Sequence, residues 1–206
     1  DAMCPSSGVW VGTFHRFCAK LLRRHAEIVG LAPNYTILDT SDSRLLLKRA
    51  AESIPDSLGM FSLADVGSAI GTAKGLGVTA DTFAPRPGSP LGEVVSQIYP
   101  AYQKQLLTAN SVDFDDLLLH TATVLRNNPE IRQHYDGIHR YVMVDEYQDT
   151  NTVQYGIVRM VNVDHQNLAV TGDPDQSIYG WRGATIGNIL NFERDYPTAK
   201  VVRLEE

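Results

Sequence analysis

The chain has 206 residues, 43% of them apolar and 20% charged, with 18 Lys and Arg against 24 Asp and Glu for a formal charge of −6. That length buries a real core as one domain or two small ones, and the composition excludes a disordered or collagen-like chain. The acidic balance excludes a generic electrostatic binder of polyanions, and the lack of any apolar run near ~20 residues excludes a bilayer-spanning helix. Cys4 and Cys18 have no CxxC spacing, and DAMCPSSGVW has no basic flank before an apolar stretch. The expectation is a cytoplasmic protein with reduced thiols, no secretory signal and no membrane contact.

The charge is uneven. Arg16, Lys20, Arg23 and Arg24 give the first 50 residues a basic excess, while residues 51–206 are strongly acidic. A polyanion must therefore be held by placed residues rather than by the average field. In chain order, residues 9–14 (VWVGTF) are β-branched and aromatic and predict a buried strand. Phe17, Cys18, Leu21, Leu22, Ala26 and Val29 recur at helical spacing and predict an amphipathic helix from His15 to about Ile28, stopped by Gly30 and Pro33. A short extended piece at 35–38 precedes Asp39, Thr40 and Ser41, which offer caps for a helix through Leu45, Leu46 and Leu47. Helices are predicted near 63–76, over 93–107 and over 114–125, the last with Asp113 as its cap. Residues 141–144 and 167–171 read as strands, with a helix at about 153–161 between them. A further helix is predicted at 186–192, and a third apolar run closes the chain at 200–204. Apolar strands alternating with helices imply an α/β fold: a parallel sheet flanked by helices, with an all-helical insertion where the alternation lapses.

Two loops carry the candidate chemistry. Asp145-Glu146 follows the strand at 141–144, and ligands of open α/β sheets gather at the carboxyl ends of strands. One carboxylate there can hold Mg²⁺ while the other takes a proton from an attacking water; a helix-capping loop is the bland alternative. The next strand runs into Gly172-Asp173-Pro174-Asp175-Gln176, where Gln176 has donor and acceptor atoms suited to a terminal phosphate. Tyr179, Trp181 and Arg182 follow in a glycine-bearing run, which suits stacking on nucleobases with a phosphate clamp, against the alternative of core aromatics and a surface arginine. Asp113, Asp115 and Asp116 could imitate a metal site, but acids in a helix's first turn are stabilised by its dipole, and that reading is preferred.

These pieces together resemble the motifs of UvrD/Rep/PcrA-type superfamily 1 DNA helicases. Val144-Asp145-Glu146-Tyr147-Gln148-Asp149-Thr150-Asn151 looks like their Walker B segment, and GDPDQSIYGWRGA (172–184) is similar to the motif linking ATP to single-stranded DNA. Gly12-Thr13-Phe14-His15 resembles a DNA-contacting motif, 112–118 (VDFDDLL) a helix start ahead of Walker B, and 202–206 (VRLEE) the lead-in to a further motif.

The resemblance implies a partial RecA-like motor domain from 1–34 and 111–206, with a helical insertion from 35–110. It implies Asp145 as the Mg²⁺ carboxylate, Glu146 as the base that activates water and Gln176 as the γ-phosphate sensor. All three then bind the nucleotide. Tyr179 and Trp181 become base-stacking surfaces, and Arg182, Thr13 and His15 lie along the DNA track; His15 is equally suited to a cap or hydrogen-bonded spacer. ATP and Mg²⁺ are the implied cofactors, and single-stranded DNA and its junctions with duplex the implied partners in repair-type processing.

A phosphate-cradling G-x-x-x-x-G-K-[ST] loop is missing: Lys20, Lys48, Lys74, Lys104 and Lys200 never follow a glycine. Gly71-Thr72-Ala73-Lys74-Gly75-Leu76-Gly77 has the wrong order and no preceding strand, so helical packing or a turn explains it better. The chain is therefore expected to be an internal slice of the motor with little ATPase of its own, its exposed sheet edge open to artificial dimerisation. Two other readings stay open: a non-hydrolysing nucleic-acid-binding or scaffold domain, and a Mg²⁺-dependent nuclease using Asp145, Glu146 and Asp149.

Overall fold

The computed structural model describes residues 8–55, 57–177 and 185–203. Its longer helices begin where a short polar side chain can take an N–H that the helix itself leaves unpaired. Thr13 accepts from the Arg16 N–H and opens α1 (Phe14–Arg24), while Asp39 opens α2 (Thr40–Glu52). Ser62 and Asp65 form a reciprocal capping box for α3 (Leu63–Gly75), and Ser89 followed by Pro90 starts α4 (Pro90–Thr108). Asp113 and Asp116 form a second such box at α5 (Phe114–Asn127). After α1 the chain tightens into a 3₁₀ turn, Ala26–Val29, and Gly30 closes it at φ 79°, a left-handed conformation that glycine adopts without strain. The element α6 (Pro129–Ile138) has proline in its first turn and was not anticipated from the sequence.

Among the described residues, three apolar clusters form, two of them large. One joins Cys18, Leu21 and Leu22 of α1 to Leu117, Leu118, Val124 and Leu125 of α5, and to Val153 and Ile157 of α7 (Thr152–Met160). The other lies within residues 38–106 and packs Leu47 and Ala50 against Val66, Ile70, Val95, Ile98, Tyr99 and Leu106. Each fully buried Leu, Ile or Val contributes about 1.5–3 kcal/mol. Where the second cluster rejoins the first, β1 (Thr36–Ile37) pairs in parallel with β2 (Ser111–Val112).

A buried ion cluster spans the same junction. Lys74, fully buried on α3, places Nζ 2.7 Å from both Asp113 Oδ2 and Asp116 Oδ1. The Tyr102 hydroxyl donates to Asp113 Oδ2 at 2.9 Å. The glycine-flanked lysine is thus part of a helix that packs, and the acids at 113 and 116 are caps that also have a cation.

The strands that matter for function are β3 (Val142–Val144) and β4 (Leu168–Val170), parallel, in the register Val142 to Leu168, Met143 to Ala169 and Val144 to Val170. The crossover between them is α7, as the strand–helix–strand pattern predicts. Val142, Val144, Leu168 and Val170 belong to a third cluster with Tyr147 and Val158, while Met143 and Ala169 on the other face are exposed. The architecture is therefore mixed α/β, with short parallel sheets flanked by helices. Among the described residues, no helix is long and apolar enough to cross a membrane.

Three expectations need correction. Residues 9–13 form no strand: Val9 and Val11 are 64% and 73% exposed, and the Thr13 cap turns the chain into α1. The β-branched run has the composition of a strand but no neighbour to pair with among the described residues. Val201 and Val202 are likewise exposed and outside any strand. The helix expected over 186–192 is broken at Asn191 into α8 (Gly187–Leu190) and α9 (Phe192–Asp195).

Candidate functional site

The ladder of β3 and β4 continues one step beyond the strands. Thr171 N–H donates to Val144 O and Tyr147 N–H to Thr171 O, each at 2.9 Å. These bonds hold the loop after β3 against the loop after β4, so Asp145 and Glu146 lie beside residues 171–176. Val144 and Tyr147 point into the core while Asp145 and Glu146 are exposed. Tyr147 is held there by the edge-on ring of Phe192, 5.7 Å between centroids.

Asp145 Oδ1 accepts the Thr171 hydroxyl and, at 3.0 Å, the Glu146 N–H. The Thr171 bond first and the Glu146 N–H second hold its carboxyl below the usual carboxylate range. It is therefore ionised at neutral pH and suited to a hard divalent cation. Glu146 sits at φ 51°, ψ 45°, a left-handed conformation uncommon for a residue with a side chain. Such strain costs on the order of 1 kcal/mol and concentrates at functional sites.

Gln148 joins the two loops. Its Nε2 donates to Glu146 Oε2 at 2.6 Å, and its Oε1 accepts the Asp173 N–H at 3.1 Å. Asp173 in turn caps the 3₁₀ turn Pro174–Gln176 and accepts from Gln176 Nε2 at 2.7 Å. Glu146 and Gln176, far apart in sequence, thus stand at two ends of one hydrogen-bonded chain. Gln148 has no role legible in the sequence, because a neutral amide inside an acidic motif leaves no signal of its own.

The remaining candidates are placed as follows. Thr13 is exposed and spends its hydroxyl oxygen on capping α1. His15 is half-buried and edge-on to Phe114 at 5.8 Å, and burial lowers its pKa, so it is neutral at pH 7. Between them Phe14 packs against the cluster of Val144 and Tyr147, which ties the start of α1 to the end of β3, just before Asp145. Tyr179, Trp181 and Arg182 lie outside the described residues. The chain on either side of them is anchored to the acidic loop: Asp173 through Gln148 before them, and Thr185 N–H to Thr150 O at 3.0 Å after them. Asn188 Nδ2 adds bonds to Thr150 O at 3.0 Å and Oγ1 at 3.1 Å.

Among the described residues, no group of three or more His, Cys, Asp or Glu side chains converges as a metal cage. A single ionised aspartate on a strand end fits Mg²⁺ instead, because that ion takes one or two carboxylates and fills its remaining positions with water and substrate phosphate oxygens.

A family model described as the UvrD/REP helicase N-terminal domain matches residues 3–197. The chain belongs to the UvrD/REP helicase family. Among its relatives, the ATP-dependent DNA helicase PcrA of Leuconostoc citreum is 43% identical over 198 residues, covering 96% of this chain and 26% of the relative. Those of Bacillus subtilis and Staphylococcus aureus are 41% and 38% identical, again over 96% of this chain and 27% of theirs. The chain therefore spans about a quarter of the length of these curated relatives. Its short parallel sheets with flanking helices agree with a RecA-like N-terminal domain of the UvrD/REP family.

Proposed function

We propose that the chain is part of an ATP-dependent DNA helicase that couples ATP hydrolysis to 3′→5′ movement on single-stranded DNA and to opening of duplex at junctions. The observation that carries this reading is the chain of hydrogen bonds from Glu146 through Gln148 and Asp173 to Gln176 at the shared carboxyl end of β3 and β4. A carboxylate and an amide joined in this way support a site in which a terminal phosphate lies between a base and a polar sensor, as in-line attack of water requires.

Asp145 would hold Mg²⁺. When bound, the ion neutralises charge on the phosphate oxygens. Glu146 accepts the proton of the attacking water as the new O–P bond forms and the bond to the ADP oxygen breaks. Gln176 exchanges its bond to Asp173 for one to the γ-phosphate. Thr13, His15, Tyr179, Trp181 and Arg182 take the DNA. Residues 1–34 and 111–206 form the motor portion and 35–110 the helical insertion, a division supported by the separate apolar cluster within 38–106. The chain lacks a phosphate-loop lysine, so alone it turns over ATP slowly or not at all.

The test is Glu146→Gln in the full-length protein. Loss of a general base lowers DNA-stimulated turnover by roughly 10²–10⁴-fold, while binding of a fluorescent ATP analogue persists. Turnover near the wild-type rate in that variant defeats the proposal.

A further inference from the structure

Gln148 lies in the turn directly after the acidic pair and is 1% exposed, yet both ends of its amide are engaged by groups of the candidate site. We propose that Gln148 is a positioning residue: it orients the Glu146 carboxylate and sets its separation from the loop carrying Gln176, so that water is activated only when that loop is seated. The inference rests on the reading of Glu146 as the hydrolytic base.

Three features of the structure converge on it. Glu146 has a left-handed backbone and an exposed side chain, and the bond from Gln148 Nε2 is what gives its carboxylate a direction. The same amide accepts the N–H of Asp173, the residue that bonds the Gln176 side chain, so a shift of either loop is felt by the other. Gly172 is shaped to this contact. A Cβ there would collide with Gln148 Oε1 and lie 2.9 Å from Ile189 Cδ1, so the backbone comes up against the amide only because the residue has no side chain.

The chemistry selects glutamine narrowly. A donor must face Glu146 while an acceptor faces Asp173 N–H, and a primary amide supplies both from one end group. Glutamate at 148 keeps the acceptor but sets a second carboxylate against Glu146. Methionine fills the space and makes neither bond.

The measurement is DNA-saturated ATP turnover by the full-length protein, as a function of ATP concentration. Gln148→Met is expected to lower kcat by about ten-fold or more while KM for ATP stays within about two-fold, the pattern of an interaction that matters in the transition state. Gln148→Glu, which keeps the acceptor and loses the donor, is expected to lower kcat by a similar factor with KM for ATP again within about two-fold. A purely structural role lowers the folded fraction or raises KM without this selective loss of kcat. Normal kcat in well-folded variants overturns the proposal, and so does failure of both variants to fold. Glu146→Gln measured alongside separates the two failures: if it retains turnover, the base assignment itself is wrong; if it is inactive while the Gln148 variants are normal, only the positioning role falls.

Discussion

Two carboxylate clusters invite comparison. At Asp113 and Asp116 the acids are enclosed, with a buried lysine between them and the start of α5 beneath. At Asp145 and Glu146 they stand in solvent on a strand end, held by a hydroxyl, an N–H and an amide, with no cationic side chain in an ion pair with them among the described residues. In sequence both are acidic residues at the edge of a regular element, expected as helix-start acids in the first place and as a Mg²⁺ carboxylate and a base in the second. The protein has balanced the first pair internally, so those charges are spent on joining α3 to α5. The second pair remains available to an external cation or proton.

The electrostatics follow this division. Burial by itself pushes the Lys74 ammonium down, but Asp116, Asp113 and Tyr102 together outweigh it and hold the lysine charged. Burial also opposes ionisation of Asp113, and there too the lysine prevails and keeps the carboxyl below its ordinary range. Asp116, wholly enclosed, is shifted upward by burial. A cluster with such opposing shifts is expensive to interrupt.

The largest expected effect is at Lys74. Lys74→Met leaves two enclosed carboxylates without their cation and should lower the unfolding free energy by about 3–5 kcal/mol, read by urea unfolding at pH 7. The deficit should shrink as pH falls toward about 4. Without the lysine the two carboxyls titrate above their unfolded values, so protonation stabilises the folded variant, the reverse of Asp113 in the wild type. A deficit that grows on acidification contradicts the ion-cluster description. Gly172→Ala should come next, destabilising by about 1–3 kcal/mol through overpacking against Gln148 and Ile189. An unmoved urea midpoint would show that the two loops do not meet closely. Asp145→Ala sharpens the contrast from the other side: the thermal midpoint should stay where it is, while Mg²⁺-dependent nucleotide binding by the full-length protein is lost. The smallest effect concerns Cys18, whose thiol burial pushes up to about 12. In a Cys4→Ser background it should resist alkylation at pH 8 until denaturant is added. Rapid labelling of the folded chain would place α1 less deeply than described.

Much of the fold was legible because local rules and tertiary packing agree. Asp39 and Asp113 act as the helix caps their positions suggest, and the apolar stripe from Phe17 to Leu22 is buried as its spacing requires. The misreadings arise where local pattern lacks a tertiary partner. Residues 9–13 have the β-branched and aromatic composition of a strand without a neighbouring strand among the described residues. In α6, the polar Glu130, Arg132, Gln133 and His134 mask the spacing of Ile131 and Tyr135, which pack against or within the main cluster.

The sequence by itself determined the helix starts capped by Asp39 and Asp113, the pair of parallel strands and the acidic and amide residues at their ends, because caps, periodicity and motif order are local properties of the chain. Only the tertiary structure decided which acids are neutralised and which stay open, and that Gln148 rather than chain proximity connects Glu146 to the Gln176 loop. Those outcomes depend on groups distant in sequence arriving within hydrogen-bonding reach, and such meetings are set by how helices and strands pack.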